Sequence, residues 1–213
     1  MSVEQALKIA KELQFRQDHN KLKYYKPYEY QEKFHNAKAA QKLLMAGNRI
    51  GKSYCGAAEL AYHLTGLYPK WWQGRRWDRP IRAWAGGASN ETTRDILQKE
   101  LFGQPDDPHA KGTGAIPLNL IGEKTRKPGV PNAHNSAVIK HVSGGWSRVG
   151  FKAYEMGKEK WMGESLDVIW LDEEPPPEIY SQCVTRTADK GGMVYMTFTP
   201  ENGMTETIAQ FIN

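Results

Sequence analysis

Cysteine is nearly absent: Cys55 and Cys183 are the two in 213 residues, and they stand alone, without the spacing of metal ligands. Two isolated thiols make no disulfide framework, so a reducing cytoplasm is the expected compartment. No apolar run approaches the ~18 residues of a membrane span, and residues 1–13 alternate charge with aliphatics instead of forming a signal core. Neither secretion nor membrane spanning is expected. Internal repeats and low-complexity tracts are also missing. What is plentiful is aromatic and basic: seven Trp, ten Tyr, and 29 Lys+Arg against 24 Asp+Glu, a net charge of +5. With 39% hydrophobic residues the chain can bury one substantial core, and its length fits a single α/β domain, 1–213. The positive balance suits an anionic partner such as a nucleotide or nucleic acid.

Apolar spacing predicts an amphipathic lead helix over 3–17 with Ser2 as N-cap and Glu4 in its first turn, and a second helix over 28–34 behind Pro27. Residues 43–46 read as a short buried parallel strand, and 52–64 as a helix closed by Gly66. A strand at 81–88 and a helix at 91–102 follow, the latter capped by Ser89 or Asn90 and stopped by Gly103. Residues 104–135, rich in Pro, Gly and charge, read as irregular loops. An antiparallel hairpin is expected at 137–142 and 148–154 around Gly144 and Gly145. Then come a continuous apolar strand at 167–171, a helix at Pro177–Ala188, a strand at Met193–Phe198 and the start of a helix at 205–212. Strands alternating with helices imply a mostly parallel central sheet with helices on both faces and a few antiparallel edge strands.

Two segments carry chemistry. Ala46-Gly47-Asn48-Arg49-Ile50-Gly51-Lys52-Ser53 lies between an expected strand and an expected helix, the context in which a P-loop works. Its successive backbone N–H groups form an anion nest, and the helix that follows adds its positive end. Lys52 supplies charge for the β and γ phosphates, and the Ser53 hydroxyl is a Mg²⁺ ligand. Ala46 replaces the usual glycine, which is tolerable if that position does not need positive φ, with Gly47 beside it supplying freedom. The second segment, Val168-Ile169-Trp170-Leu171-Asp172-Glu173, is an apolar strand delivering two carboxylates at its C-terminal end. Consecutive side chains leave a strand in opposite directions, so Asp172 can face the metal or Ser53 while Glu173 orients water. A dedicated water base tilts the reading from phosphate transfer to hydrolysis, in an α/β fold of the P-loop NTPase type. A solvated acidic strand end is the plainer alternative.

Two further segments fit this frame. Thr197-Phe198-Thr199-Pro200 places hydroxyls at a strand end where loss of γ-phosphate can be sensed, or is an ordinary Thr-rich strand stopped by proline. In Tyr28-Glu29-Tyr30-Gln31, the Gln31 amide can offer a donor and an acceptor to an adenine edge and Tyr28 a ring to its face; both are equally at home on a surface helix.

These four elements in this order resemble the ATPase domain of the large terminase subunit of tailed double-stranded DNA bacteriophages, most closely that of short-tailed enteric phages. The resemblance covers nearly the whole chain. It implies a motor that packages DNA into a procapsid, with a separate C-terminal nuclease domain beyond these residues, since no nuclease carboxylate cluster is visible here. Residue by residue, Ala46, Gly47, Asn48, Arg49, Ile50, Gly51, Lys52 and Ser53 match the family's P-loop, with Tyr54 behind it. Asp172 matches its Mg²⁺ carboxylate, Glu173 its catalytic one, Thr197 and Thr199 its coupling motif, and Gln31 with Tyr28 its adenine motif; residues 1–40 form the adenine-side segment. Arg49 is similar to a basic loop residue that touches the γ-phosphate, a solvated arginine being the alternative. The implied cofactors are ATP and Mg²⁺. The implied partners are double-stranded DNA held through phosphates without base readout, portal protein, small terminase subunit and further copies in a ring, all in the host cell cytoplasm. A helicase-like ATPase and a nucleotide-gated assembly scaffold are the rival functions.

Two basic regions are candidates for DNA. Trp71 to Arg79 interleaves tryptophan and arginine, reading either as a loop anchored on the core by its tryptophans or as a stacking platform. Lys124, Arg126, Lys127, Lys152, Lys158 and Lys160 suggest another basic face.

Overall fold

A computed structural model of the chain describes residues 2–47, 49–200 and 205–212. Helix α1 (Val3–Asp18) begins at a capping box in which Ser2 and Gln5 satisfy each other's backbone amides. The expected lead helix is therefore present, but its amphipathic role is not: none of its residues is buried, and Val3, Leu7, Ile9, Leu13 and Phe15 are all exposed. Its cap, rather than burial, defines it. A short helix α2 (Lys21–Tyr24) leads to α3 (Glu29–Asn36), whose N-cap is Tyr28.

Seven strands form one sheet: β1 (Gln41–Met45), β2 (Arg82–Gly87), β3 (Ile121–Arg126), β4 (His134–Lys140), β5 (Trp146–Ala153), β6 (Val168–Asp172) and β7 (Met193–Phe198). Their order is β1-β7-β6-β2-β5-β4-β3. The five from β1 to β5 in that order run parallel, and β4 and β3 add antiparallel. β6 is buried at all five positions, as its unbroken apolar run requires of a strand covered on both faces.

One core lies between the sheet and α4 (Lys52–Thr65), including Ala57, Leu60 and Leu64 against Trp170 and Tyr195. The other face is covered by α7 (Pro177–Ala188) and α8 (Glu206–Ile212), with Ile179, Tyr180 and Ile208 against Ile169, Leu171 and Phe198. The helix expected at 91–102 runs as α5 (Asn90–Thr92), a wider π-helical stretch (Thr93–Gln98) and α6 (Lys99–Phe102), capped by Ser89 and stopped by Gly103 at φ 102°.

The region read as loops contains β3, which is a correction. An edge strand reading Ile-Gly-Glu-Lys-Thr-Arg has little hydrophobic alternation, since charge on an edge guards against unwanted pairing and removes the signal. The hairpin is present, its first strand three residues earlier than expected. Trp71 to Arg79 is the tryptophan-anchored loop: Trp72 is buried, Arg75 donates to the carbonyls of Gly191 and Gly192, Arg76 to that of Trp72, and Arg79 pairs with Asp167.

Candidate active site

The loop 46–51 emerges from β1 and turns into α4, so its amides lie at the positive end of a helix 14 residues long. Gly51 caps that helix at φ 82°, a left-handed conformation that favours glycine. Arg49 is left-handed too, at φ 63°, while Ala46 is not among the positive-φ residues, which explains how alanine fits there. Gly47 also lies outside that region, so the freedom attributed to it is not used in this conformation. Asn48 lies outside the described residues. Ile50 and Arg49 are exposed, and Lys52 is buried with its Nζ donating to the Gly47 carbonyl at 2.8 Å. That bond folds the lysine over the loop.

The two distant segments meet. Ser53 Oγ donates to Asp172 Oδ1 at 3.3 Å. β7 lies between β1 and β6, and its Thr197 sits in register with Asp172 on one side and Leu44 on the other. Thr197 Oγ1 donates to the same Oδ1 at 2.7 Å while accepting from Trp170 Nε1 at 2.9 Å. Asp172 thus has one oxygen tied down by two hydroxyls. Its carboxyl is pushed up to about 6, chiefly by burial, with the Thr197 bond opposing and the neighbouring Glu173 adding to the rise. A carboxyl so placed is poised to ionise when a cation arrives.

Glu173 sits just past β6 with φ 60°, an uncommon conformation for a non-glycine residue. Its amide donates to the Thr197 carbonyl at 2.8 Å, and its own side chain accepts from Thr199 N at 3.1 Å. The Tyr154 hydroxyl lies 3.0 Å from the carbonyls of both Asp172 and Glu173. The left-handed turn is therefore held by its surroundings, as strained backbone at a functional site must be. It leaves the Glu173 carboxylate exposed, on the Thr199 amide, next to buried Asp172.

On the other side of the loop, buried Gln31 donates to the Gly51 carbonyl at 3.3 Å, and its Oε1 accepts from Tyr28 N at 2.9 Å and Tyr25 OH at 3.3 Å. The Gln31 amide is a strut between α3 and the loop. Tyr28 is exposed, its ring stacked on Tyr30 at 6.0 Å, and Tyr30 OH donates to the Ile50 carbonyl at 2.6 Å. Tyr54 packs inward against the Tyr25 ring, its hydroxyl pushed up to about 12 by burial.

Sequence reasoning missed Tyr30, Tyr154, Trp170 and a buried charge cluster. In the cluster, Glu59 on α4 accepts from Lys42 on β1 at 2.5 Å and contacts His35 of α3 at 2.6 Å and His63 at 3.1 Å. A lone Glu inside the otherwise apolar run 55–62 was its one available signal. Tyr154 had none, because it follows a strand far along the chain.

Among the described residues no three His, Cys, Asp or Glu side chains converge as a metal cage, and no helix is long and apolar enough to cross a membrane. One hydroxyl and one carboxylate suit a cation that takes its remaining ligands from phosphate and water, as Mg²⁺ does.

A family model for the N-terminal part of the T4-like virus type of terminase large subunit matches residues 43–213. The large terminase subunit of Salmonella phage P22 is 37% identical, aligned over 87% of this chain and 41% of its own length. The chain thus spans less than half the length of that relative. Among solved structures, the large terminase ATPase domain of Thermus phage P74-26 superposes with a TM-score of 0.59 at 16% identity, covering 90% of this chain and 71% of its own. The large terminase of a second thermophilic bacteriophage gives 0.54 at 12% identity, covering 81% and 39%. With the loop, the carboxylate pair and the β7 threonine joined in one place, the chain belongs to the large terminase subunit family and corresponds to its N-terminal part.

Proposed function

We propose that residues 1–213 form the ATP-hydrolysing motor domain of a genome-packaging terminase, part of a longer chain with a nuclease domain. It drives double-stranded DNA into a procapsid in the host cytoplasm, together with portal protein, small subunit and further copies in a ring. The observation that carries this reading is the 3.3 Å bond from Ser53 to Asp172, which joins an anion-binding loop to a carboxylate pair from the far end of the chain.

In this reading the amides of 46–53, Asn48 included, cradle the ATP phosphates, and Lys52 leaves the Gly47 carbonyl to pair with the β and γ groups. Arg49, on the exposed loop, reaches the γ-phosphate. Ser53 and Asp172 hold Mg²⁺, which supplies charge neutralisation for the transferred phosphoryl group. Glu173 accepts a proton from the attacking water and orients it. Tyr28 and Gln31 form the adenine side, the Gln31 amide exchanging its long Gly51 bond for the base, with Tyr30 behind them and Tyr54 backing the loop. Thr197 touches Asp172 and the Thr199 amide touches Glu173, so both carboxylates are wired to β7 and the segment after it. Loss of γ-phosphate is then felt as a change in that segment, which is the coupling step.

The test is phosphate release from Mg·ATP, with and without duplex DNA, by the wild-type chain and by Lys52→Ala. Turnover that DNA stimulates and that the substitution abolishes is expected. Equal turnover in both proteins would remove the assignment of the loop.

A further inference from the structure

We propose that the cavity at the antiparallel end of the sheet is a second anion site, and that it takes backbone phosphates of DNA. The inference rests on the DNA-engaging reading above and gives that reading a place on the molecule. The cavity, of about 780 Å³, lies within the usual range of ligand sites. It is bounded by three separate segments: the turn after α6, β3, and the turn before β4. β3 and β1 are the two edges of the sheet, so the cavity is at the opposite end from the P-loop and binding there does not compete with ATP.

Its charge is one-sided. Lys111, Lys124, Arg126 and Lys127 line it, against the single carboxylate of Asp107. Several cations elsewhere in the chain do have carboxylate partners: Lys42 with Glu59, Arg79 with Asp167, Arg82 with Glu164 and Arg94 with Asp95. Among the described residues none of the four in the cavity forms an ion pair. Lys124 Nζ rests 5.1 Å over the ring of Phe102, and Lys127 Nζ finds a thioether, Met156 Sδ at 3.4 Å. Both are weak partners for an ammonium group. Burial lowers the pKa of both lysines; Lys111 adds to the shift at Lys124, and Glu155 opposes it at Lys127. Four cations gathered against one lining carboxylate, two of them partly desolvated, are a cost that a bound anion lowers.

A second observation comes from the wall. His134 is fixed through its backbone, which exchanges hydrogen bonds with the Gln98 side chain at 2.8 and 2.9 Å, yet its Nδ1 is buried and unpartnered among the described residues. A buried polar atom without a partner needs an explanation, and an anion accepting a hydrogen bond from His134 Nδ1–H would supply one. Amines and a guanidinium around an apolar floor read charge and not base identity, which suits a contact that must slide along DNA.

The experiment uses a fluorescent 30-base-pair duplex, with anisotropy measured across a salt series, on the wild type and on Lys124→Ala/Arg126→Ala/Lys127→Ala. A control with the same charge removed, Lys8→Ala/Lys11→Ala/Lys38→Ala, guards against a long-range effect, and thermal melts verify folding. Loss of affinity by about tenfold, with the salt slope smaller by about 2 to 3 as expected for that many phosphate contacts, is the supporting result, with binding of a fluorescent ATP analogue unchanged. Unchanged DNA binding, or an equal loss in the control, overturns the site. A parallel titration with inorganic pyrophosphate, read at the His134 imidazole by NMR, separates the sources. A pyrophosphate response with no duplex binding overturns the DNA assignment, and with it the DNA reading of the function, in favour of a free-phosphate site. No response to either probe overturns both.

Discussion

The Thr197 hydroxyl donates a 2.7 Å hydrogen bond to the carboxylate of Asp172 across neighbouring parallel strands. It does so while accepting from Trp170, so removing it disturbs two groups. In Thr197→Val the indole N–H loses its acceptor inside the core, an expected cost of about 1–3 kcal/mol, which thermal melts will read. Asp172 loses a bond that favours its ionised form, and ATP turnover is expected to drop about tenfold, corresponding to ~1.4 kcal/mol in the barrier. Thr197→Ser, which keeps the hydroxyl, restores turnover.

Glu173 is held in a left-handed turn by the Tyr154 hydroxyl and the Thr197 carbonyl. Glu173→Ala is expected to lower turnover by roughly 10² to 10⁴, the span of general-base contributions, while binding of an ATP analogue by anisotropy stays near normal. Unchanged turnover would remove it as the water base.

Tyr154 touches no reacting group in the proposed mechanism and acts through the turn. Tyr154→Phe is expected to lower kcat more than it changes KM, with a stability loss of about 1 kcal/mol for the hydrogen bonds removed. A change confined to melting temperature would reduce Tyr154 to a packing residue.

Glu59 is fully buried among Lys42, His35 and His63. Glu59→Ala strands a buried ammonium and is expected to cost about 3–5 kcal/mol, read by urea unfolding. A loss below about 1 kcal/mol would mean that water reaches Lys42.

The pH dependence of stability has one group that can be isolated. Burial, with Lys124 and Arg126 nearby, pushes His134 down from 6.5 to about 4. The unfolded chain then binds a proton below pH 6.5 that the folded chain refuses until about pH 4, so His134 contributes stability at neutral pH that is lost as pH falls through that window. In buffer without phosphate, His134→Asn is expected to flatten the fall in melting temperature between pH 6.5 and about 4. An unchanged profile would show that His134 titrates normally.

What was legible in the sequence is what local chemistry dictates. The Gly-Lys-Ser turn at a helix start and the apolar run ending in Asp172-Glu173 each announce their geometry, and Pro177–Ala188 and Met193–Phe198 appear with the bounds that proline and apolar runs suggested. β3 was hidden because an edge strand needs no apolar face. Trp170 looked like one more core residue, since the bond of its indole to Thr197 depends on strand order, and strand order is a property of the whole sheet. The apolar residues of α1 pointed to a packed helix, yet periodicity describes a face and not whether anything in the chain covers it.

Lys42, Glu59 and His35 knit the strand before the P-loop, the helix after it and the helix beside it into a single unit. Both stems of the loop are thereby anchored before any nucleotide arrives. Little entropy is left there to lose on capture, and in the proposed cycle the segment placed to respond to loss of the γ-phosphate is β7 and the residues just after it, which touch Asp172 and Glu173.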